Sequence, residues 1–395
     1  MPAQVITEHF QVAVGGYLRK LNVGNEDISG IEQHLESPEV SLGEHVQCRQ
    51  LELADELDAR LAIYLDLKFW IILRDVLMGK QTRPEEMELL QLLRKLVEEK
   101  RAFCPISETT FIELLKQQDL ATRRATGELI DELGLGVSLI SFEERMELEI
   151  ASFIYKHGGQ KDYVSPERLV WSKLSYVLGH THPYQTGFEP AVELAIQKAF
   201  FDRMWHVRMS EMLHLIGDSM RPDMNFDALA QSLNAGNIRH ADELRSFNQT
   251  YAIELAGGLS LVAPIAAEVV ARMGEKATGH SMPRQGDEWD AYVREWQGFL
   301  MAAFKQDSVK DALPTIHINT CLHAAVRWNK VQRYEGNDFH DFHHAAAALA
   351  YCDVFLTERG LKAMVTASHV ALDARYSCQV AATVKAGLAL LHQLR

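Results

Sequence analysis

Strand-forming signal is confined to two stretches of this sequence, and that placement constrains the fold more than any other feature. Leu61-Ala-Ile-Tyr-Leu65 and Val354-Phe-Leu356 are short unbroken apolar runs, ending at Asp66 and at Thr357-Glu358. Ala102-Phe-Cys-Pro-Ile106, ending at Ser107, and Tyr376-Ser-Cys-Gln-Val-Ala381 are weaker runs of the same kind. Such runs, bounded by polar residues, read as strands buried on both faces. Each neighbours a helical pattern, the arrangement of a parallel sheet with crossover helices. Elsewhere the pattern is helical. Residues 45–61, 84–100, 119–133, 141–157, 166–178, 188–217, 238–274 and 287–306 carry apolar residues at three- and four-residue spacing. The economical reading is an α/β domain interrupted by a large all-α insertion. It divides the chain into a helical extension (1–59), a first α/β part (60–118), the insertion (119–310) and a second α/β part (311–395). His157–Asp162 and Thr278–Gly286 are rich in turn formers and are the expected soft points.

The chain has 395 residues, enough for a sizeable core, and its 47% apolar and 24% charged content is that of an ordinary globular protein. Its net charge of −14 argues against an architectural nucleic-acid binder, which is usually basic. Local basic patches are still available at Lys68, Arg74 and Lys80, and at Arg327, Lys330 and Arg333. Solvated helix faces are the alternative reading of both. No run is expected to span a membrane, and the Met-Pro-Ala-Gln start has no secretory pattern. The five cysteines are scattered, with no C-x-x-C pair, so neither a zinc site nor a disulfide framework is expected. A cytoplasmic setting fits that usage.

Ligands of an open parallel sheet bind outside the carboxyl ends of the strands. Crossover helices run back against the strands, so their N-termini lie at that same edge. Asp66 and Glu358 follow strands. Glu108 and Glu113 lie in the first turns of a helix after 102–106, and Asp338 and Asp341 open the helix before 354–356. All six acids are therefore expected at one edge, whereas Asp353 precedes its strand and reads as a turn or cap residue. Clustered acids repel, by roughly 0.2–0.5 kcal/mol for an exposed i, i+3 pair, and a helix N-terminus offsets part of that. An oxygen-rich set of this kind suits Mg²⁺ or Mn²⁺. Such an ion activates water and neutralises the charge of a phosphoryl transition state.

Three of these stretches carry a resemblance. The run N-D-F-H-D-F-H-H-A-A-A-A-L-A-Y-C-D-V-F-L-T-E, with Asp341 sixteen residues before Thr357, resembles the closing motif of PIN-domain nucleases. I-Y-L-D-L-K-F-W looks like the opening strand of that family, its acid matched by Asp66. P-I-S-E-T-T-F-I-E-L-L-K looks like the second motif, its acid matched by Glu113, with Glu108 as the register alternative. The resemblance covers roughly 60–118 and 315–395 and implies a PIN-like three-layer fold with a central parallel sheet. It implies a Mg²⁺- or Mn²⁺-dependent nuclease, most simply an endoribonuclease, with RNA or single-stranded DNA as substrate. Asp66, Glu113, Asp338 and Asp341 would hold the metal, and Asp66, Glu113, Asp341 and Glu358 would be the catalytic acids. Thr357 and His344 would support them from behind. The family usually carries Asp or Asn where Glu358 stands. A PIN-like domain without chemistry, acting as a scaffold through its helical insertion, is the alternative. The resemblance also admits a toxin-like or defence role, and the insertion could serve a homo-oligomeric or regulatory protein contact.

Other signals are weaker. His340 and His344 share a helix face, and either metal ligation or support of the neighbouring acids would use it, the second being the better reading. His180-Thr-His182-Pro and Glu211-x-x-His214 lack the further ligands that a metallohydrolase or a di-iron bundle needs. No phosphate loop, nucleophile elbow or H-E-x-x-H motif occurs.

Overall fold

The computed structural model describes residues 25–80, 82–159, 163–217, 225–240 and 244–394. The chain is mostly helical, at 68%, with four strands in parallel pairings. It forms two compact units: 1–141 with 167–222 and 387–395, and 142–166 with 223–386. The helices of 119–310 are thus shared between the two units.

In the first unit, β1 (Leu61–Leu65) pairs in parallel with β2 (Ala102–Phe103), Leu61 opposite Ala102 and Ala62 opposite Phe103. Ala62 to Leu65 are all buried, as an unbroken apolar strand requires. The 102–106 run is regular only at its start. Pro105 has no N–H for a ladder, and pairing resumes as a single parallel bridge from Ile106 to Ser138. Ser138 belongs to β3 (Val137–Leu139), which pairs antiparallel with β4 (Trp171–Lys173). These two strands correct the all-α reading of 119–310. Residues 166–178 form one helical turn (Pro166–Leu169), then β4, then a 3₁₀ turn (Leu174–Tyr176). Val170, Leu174 and Val177 mimic helical spacing, but Val170 lies just before β4, and Leu174 and Val177 open and cap the 3₁₀ turn, all three buried. Residues 188–217 are likewise two helices, Pro190–Trp205 and Met209–Ile216. The second starts where Asp131 accepts the N–H groups of Met209 and Ser210, at 2.7 and 2.9 Å, satisfying two orphan donors of its first turn.

The second unit is built on the helix Phe247–Thr278, longer than the 238–274 pattern implied at its end and starting later. By length and composition it is apolar enough to cross a membrane, with a mean hydropathy of 1.7 over its best window, contrary to the expectation that no run would be. Leu255, Leu259, Val262, Ala266 and Val269 on this helix pack with Met146, Ile150, Leu300, Phe304 and Ile316 in one buried cluster. Glu149 is buried beside that cluster. It accepts the backbone N–H (3.1 Å) and hydroxyl of Thr315 and the hydroxyl of Tyr351 (2.7 Å), capping the helix Pro314–Trp328. Burial pushes its carboxyl up to about 7 against those hydrogen bonds.

β5 (Val354–Leu356) pairs in parallel with β6 (Gln379–Ala381), which begins three residues later than the 376–381 run. Tyr376 ends a short helix, Leu372–Tyr376, and Ser377 turns the chain with φ 57°. Of the soft points, Gly279 leaves the long helix with φ 73° and Gly159 follows helix Phe142–His157 with φ 71°. Residues 160–162 lie outside the described ones.

Candidate functional site

Asp66 stands directly after β1 and is only 5% exposed. It is the N-cap of helix Leu67–Leu77, Oδ1 accepting the Phe69 N–H at 3.2 Å. Because β1 and β2 run parallel, Asp66 after the one and Glu108 after the other leave the strand pair at the same edge. Tyr64 fixes this edge by a 2.6 Å hydrogen bond to the Ser107 hydroxyl. Glu108 is buried at the first position of helix Glu108–Leu115, and Glu113 is half-buried further along it. By backbone position, Glu108 is the nearer of the two to the strand ends.

In the second unit, Asp338 and Asp341 sit in the first turn of helix Asp338–Tyr351. Asp338 Oδ2 accepts the Glu335 N–H at 2.8 Å, and Asn337 Nδ2 donates to Asp341 Oδ1 at 3.4 Å. Burial raises the Asp338 carboxyl against that Glu335 N–H bond, and the Glu335 charge adds to the rise. The helix reaches β5 through Cys352 and Asp353 alone. Thr357 follows β5, its backbone N–H bonded to Ala381 at 2.9 Å. Its hydroxyl is fully buried and, among the described residues, has no hydrogen-bond partner. Glu358 is exposed and precedes helix Arg359–Val365 without a side-chain cap. Asp353 lies at the other end of β5 and its carbonyl accepts the Gln379 N–H, which is a turn role.

The histidines of this helix face inward. His340 and His344 are buried. His343 stacks on Phe142 at 4.3 Å with planes 3° apart. Burial, with the Arg145 charge behind it, holds His343 down to about 3, so its ring is neutral at pH 7. Ala345 to Leu349 are completely buried. The helix therefore wants the interior, and its charge is carried only by its first turn.

In each basic stretch the arginine nearest the interior is paired, while Lys330 and Arg333 stay exposed. Arg74 is buried against Asp75 at 2.7 Å, and Lys80 reaches the same carboxylate at 2.8 Å. Arg327 is ion-paired to Glu254. Neither a nucleic-acid patch nor a solvated face describes those arginines; they are internal counter-charges. His180 bonds Ser172 at 3.3 Å and packs by Tyr176 and Phe201, while Glu211 caps its own helix and His214 meets Arg124.

One cluster had no sequence signal because its members are far apart in the chain. His34 Nε2 and His45 Nε2 lie 2.9 Å from the two oxygens of Asp202. These three ligand atoms lie within 4.8 Å of one another and could hold a metal by distance. Arg49 Nε, however, is 3.4 Å from the same carboxylate. Buried Lys198 lies one turn away on the same helix, donating to the carbonyls of Ser37 and Val40 at 2.8 and 3.1 Å. Burial pushes the Asp202 carboxyl up, but His45, His34 and Arg49 together hold it below the usual range. A divalent cation would enter beside two fixed positive charges. The charge balance favours a closed hydrogen-bonded knot joining helices Asn25–Leu35, Leu42–Leu57 and Pro190–Trp205.

No family model, curated protein or solved structure matches the chain.

Proposed function

We propose that the chain is a Mg²⁺- or Mn²⁺-dependent phosphodiester hydrolase with a PIN-like domain, acting on RNA. The observation that carries the reading is the parallel register of β1 and β2, by which Asp66 and the acid-bearing start of helix Glu108–Leu115 share one carboxyl edge. In the second unit, the resemblance assigns the acids at the head of helix Asp338–Tyr351. The donor set is all carboxylate oxygen, which fits a hard cation. The buried Thr357 hydroxyl, without a partner among the described residues, fits a site that leaves one hydrogen bond for a ligand or water.

Asp66, Glu113 and Asp341 take the metal-holding role, with Glu108 the alternative to Glu113. Asp338 and Glu358 complete the site or orient water. Thr357 and His344 support these acids. When bound, the ion supplies charge neutralisation at the phosphoryl group. With a net charge of −14, non-specific affinity for RNA is low, and substrate choice rests on a specific contact or a partner.

The test is Mn²⁺-dependent cleavage of end-labelled RNA and single-stranded DNA by wild type, Asp66→Asn and Asp341→Asn. Cleavage by wild type alone, with 5′-phosphate products, supports the reading. Equal cleavage by all three proteins sinks it. Comparing Glu108→Gln with Glu113→Gln decides the register.

A further inference from the structure

Within the second unit, Tyr251, Lys310, His317, Cys321, His369 and Arg375 line a pocket of about 440 Å³. His317 and Cys321 are one turn apart on helix Pro314–Trp328, and both are nearly buried. Their hydrogen bonds fix the protons. The Tyr376 hydroxyl lies 2.8 Å from the Lys310 carbonyl, which can only accept, so the phenol proton points there. That leaves the phenol oxygen to accept from His317 Nδ1, 2.8 Å away, and Nδ1 must carry the imidazole proton. His317 Nε2 is then a bare lone pair, and it faces Cys321 Sγ at 3.4 Å. The result is a neutral thiol donating to a base whose tautomer is held by a third residue, so the thiol proton can move to Nε2 only as sulfur attacks.

The surroundings complete a site. Tyr251 packs edge-on to His317 with ring centres 5.6 Å apart. Its hydroxyl is buried and has no hydrogen-bond partner among the described residues, and its side chain is part of the pocket lining. Lys310 lies 5.7 Å from the Tyr251 ring centre. Lys310 and Arg375 share Asp307, at 2.9 and 3.0 Å, leaving the pocket rim close to charge balance. Burial holds the thiol up at about 12 and the imidazole down at about 3, a neutral pair at pH 7.

We infer that this pocket is a second catalytic site, in which Cys321 is a nucleophile towards small activated carboxylic esters or thioesters. In the first half, the Cys321 S–H bond breaks and its proton passes to His317 Nε2. Sulfur bonds to the carbonyl carbon, and the carbonyl electron pair moves onto oxygen, which accepts from the Tyr251 hydroxyl. Collapse re-forms the carbonyl and expels the alkoxide or thiolate, which takes the proton from His317. Water then attacks the S-acyl group, giving its proton to His317 and regenerating the thiol, with a free carboxylic acid as product. Tyr376 is a positioning residue that acts through His317.

The experiment uses the full chain carrying Cys48→Ala, because Cys48 is the exposed thiol. It is mixed with p-nitrophenyl acetate. The expected result is a burst of nitrophenolate equal to the enzyme concentration, with the acetyl group on Cys321 in the peptide mass map. His317→Gln should slow acylation by roughly 100-fold. Tyr251→Phe should slow it by a similar factor, roughly 100-fold, and because it removes an unpartnered hydroxyl it should leave the melting temperature unchanged or higher. Tyr376→Phe should lower kcat and change its pH profile with KM held. An acetyl group on any other residue, an unchanged burst in Cys321→Ala, or wild-type acylation by a folded Tyr251→Phe each overturns the proposal. Asp66→Asn, which tests the nuclease reading, should leave the burst intact.

Discussion

Asp66 serves two functions that a single substitution confuses. Its carboxylate caps helix Leu67–Leu77 and also stands at the carboxyl edge of β1. Asparagine caps about as well as aspartate, whereas alanine loses about 1 kcal/mol. Asp66→Asn should therefore keep the urea midpoint while losing cleavage, and Asp66→Ala should lose both. Glu149 makes a different demand. Its folded carboxyl titrates near 7, above the unfolded value of 4.5. The stabilisation linked to its proton is fully present below pH 4.5 and is lost as pH rises through about 7. The loss is on the order of 3 kcal/mol. Glu149→Gln should flatten the pH dependence of stability between those limits, which denaturant melts at pH 5 and pH 8 would show. A wild-type profile in the variant would remove Glu149 from the account.

Elements differ in how clearly the sequence announced them, for reasons their residues make plain. β1 and β5 were legible because their apolar runs are unbroken and stop at Asp66 and Thr357. β2 was over-read because Pro105 cannot donate to the ladder, and β3 and β4 were missed because Ser138 and Ser172 interrupt their short apolar runs. The acids flanking these strands could be placed by edge, since edge follows from strand direction alone. His317 and Cys321 could not be told from core residues, because their significance depends on Tyr251 and Tyr376, which come from other elements. Helix Leu120–Gly134 offers a test of packing at this scale. A Cβ at Gly134 would stand 2.9 Å from the Cys104 carbonyl oxygen, a backbone atom beside β2 that cannot swing away. Gly134→Ala should cost roughly 1–3 kcal/mol, against the usual gain from alanine in a helix. A stabilised variant in chemical denaturation would show that this junction yields.

At the scale of the whole molecule, the chain passes between its two units at 141/142, 166/167, 222/223 and 386/387. Residues 119–310 therefore contain parts of both units, and neither part carries its whole core. Expressed alone, that segment should give poor amide dispersion and rapid proteolysis, whereas the full chain should show a far-UV signal near its 68% helix. A well-dispersed, protease-resistant fragment would mean that the segment is an excisable insertion after all.

The last of those crossings bears on how the protein is made. Residues 387–395 belong to the first unit, whose opening strand was laid down at Leu61–Leu65. In chain order, residues 223–386 of the second unit stand between the earlier segments of the first unit and residues 387–395. The first unit cannot finish folding vectorially. Its apolar strands β1 and β2 are made long before that last stretch, and until it follows the unit is incomplete and open to chaperones.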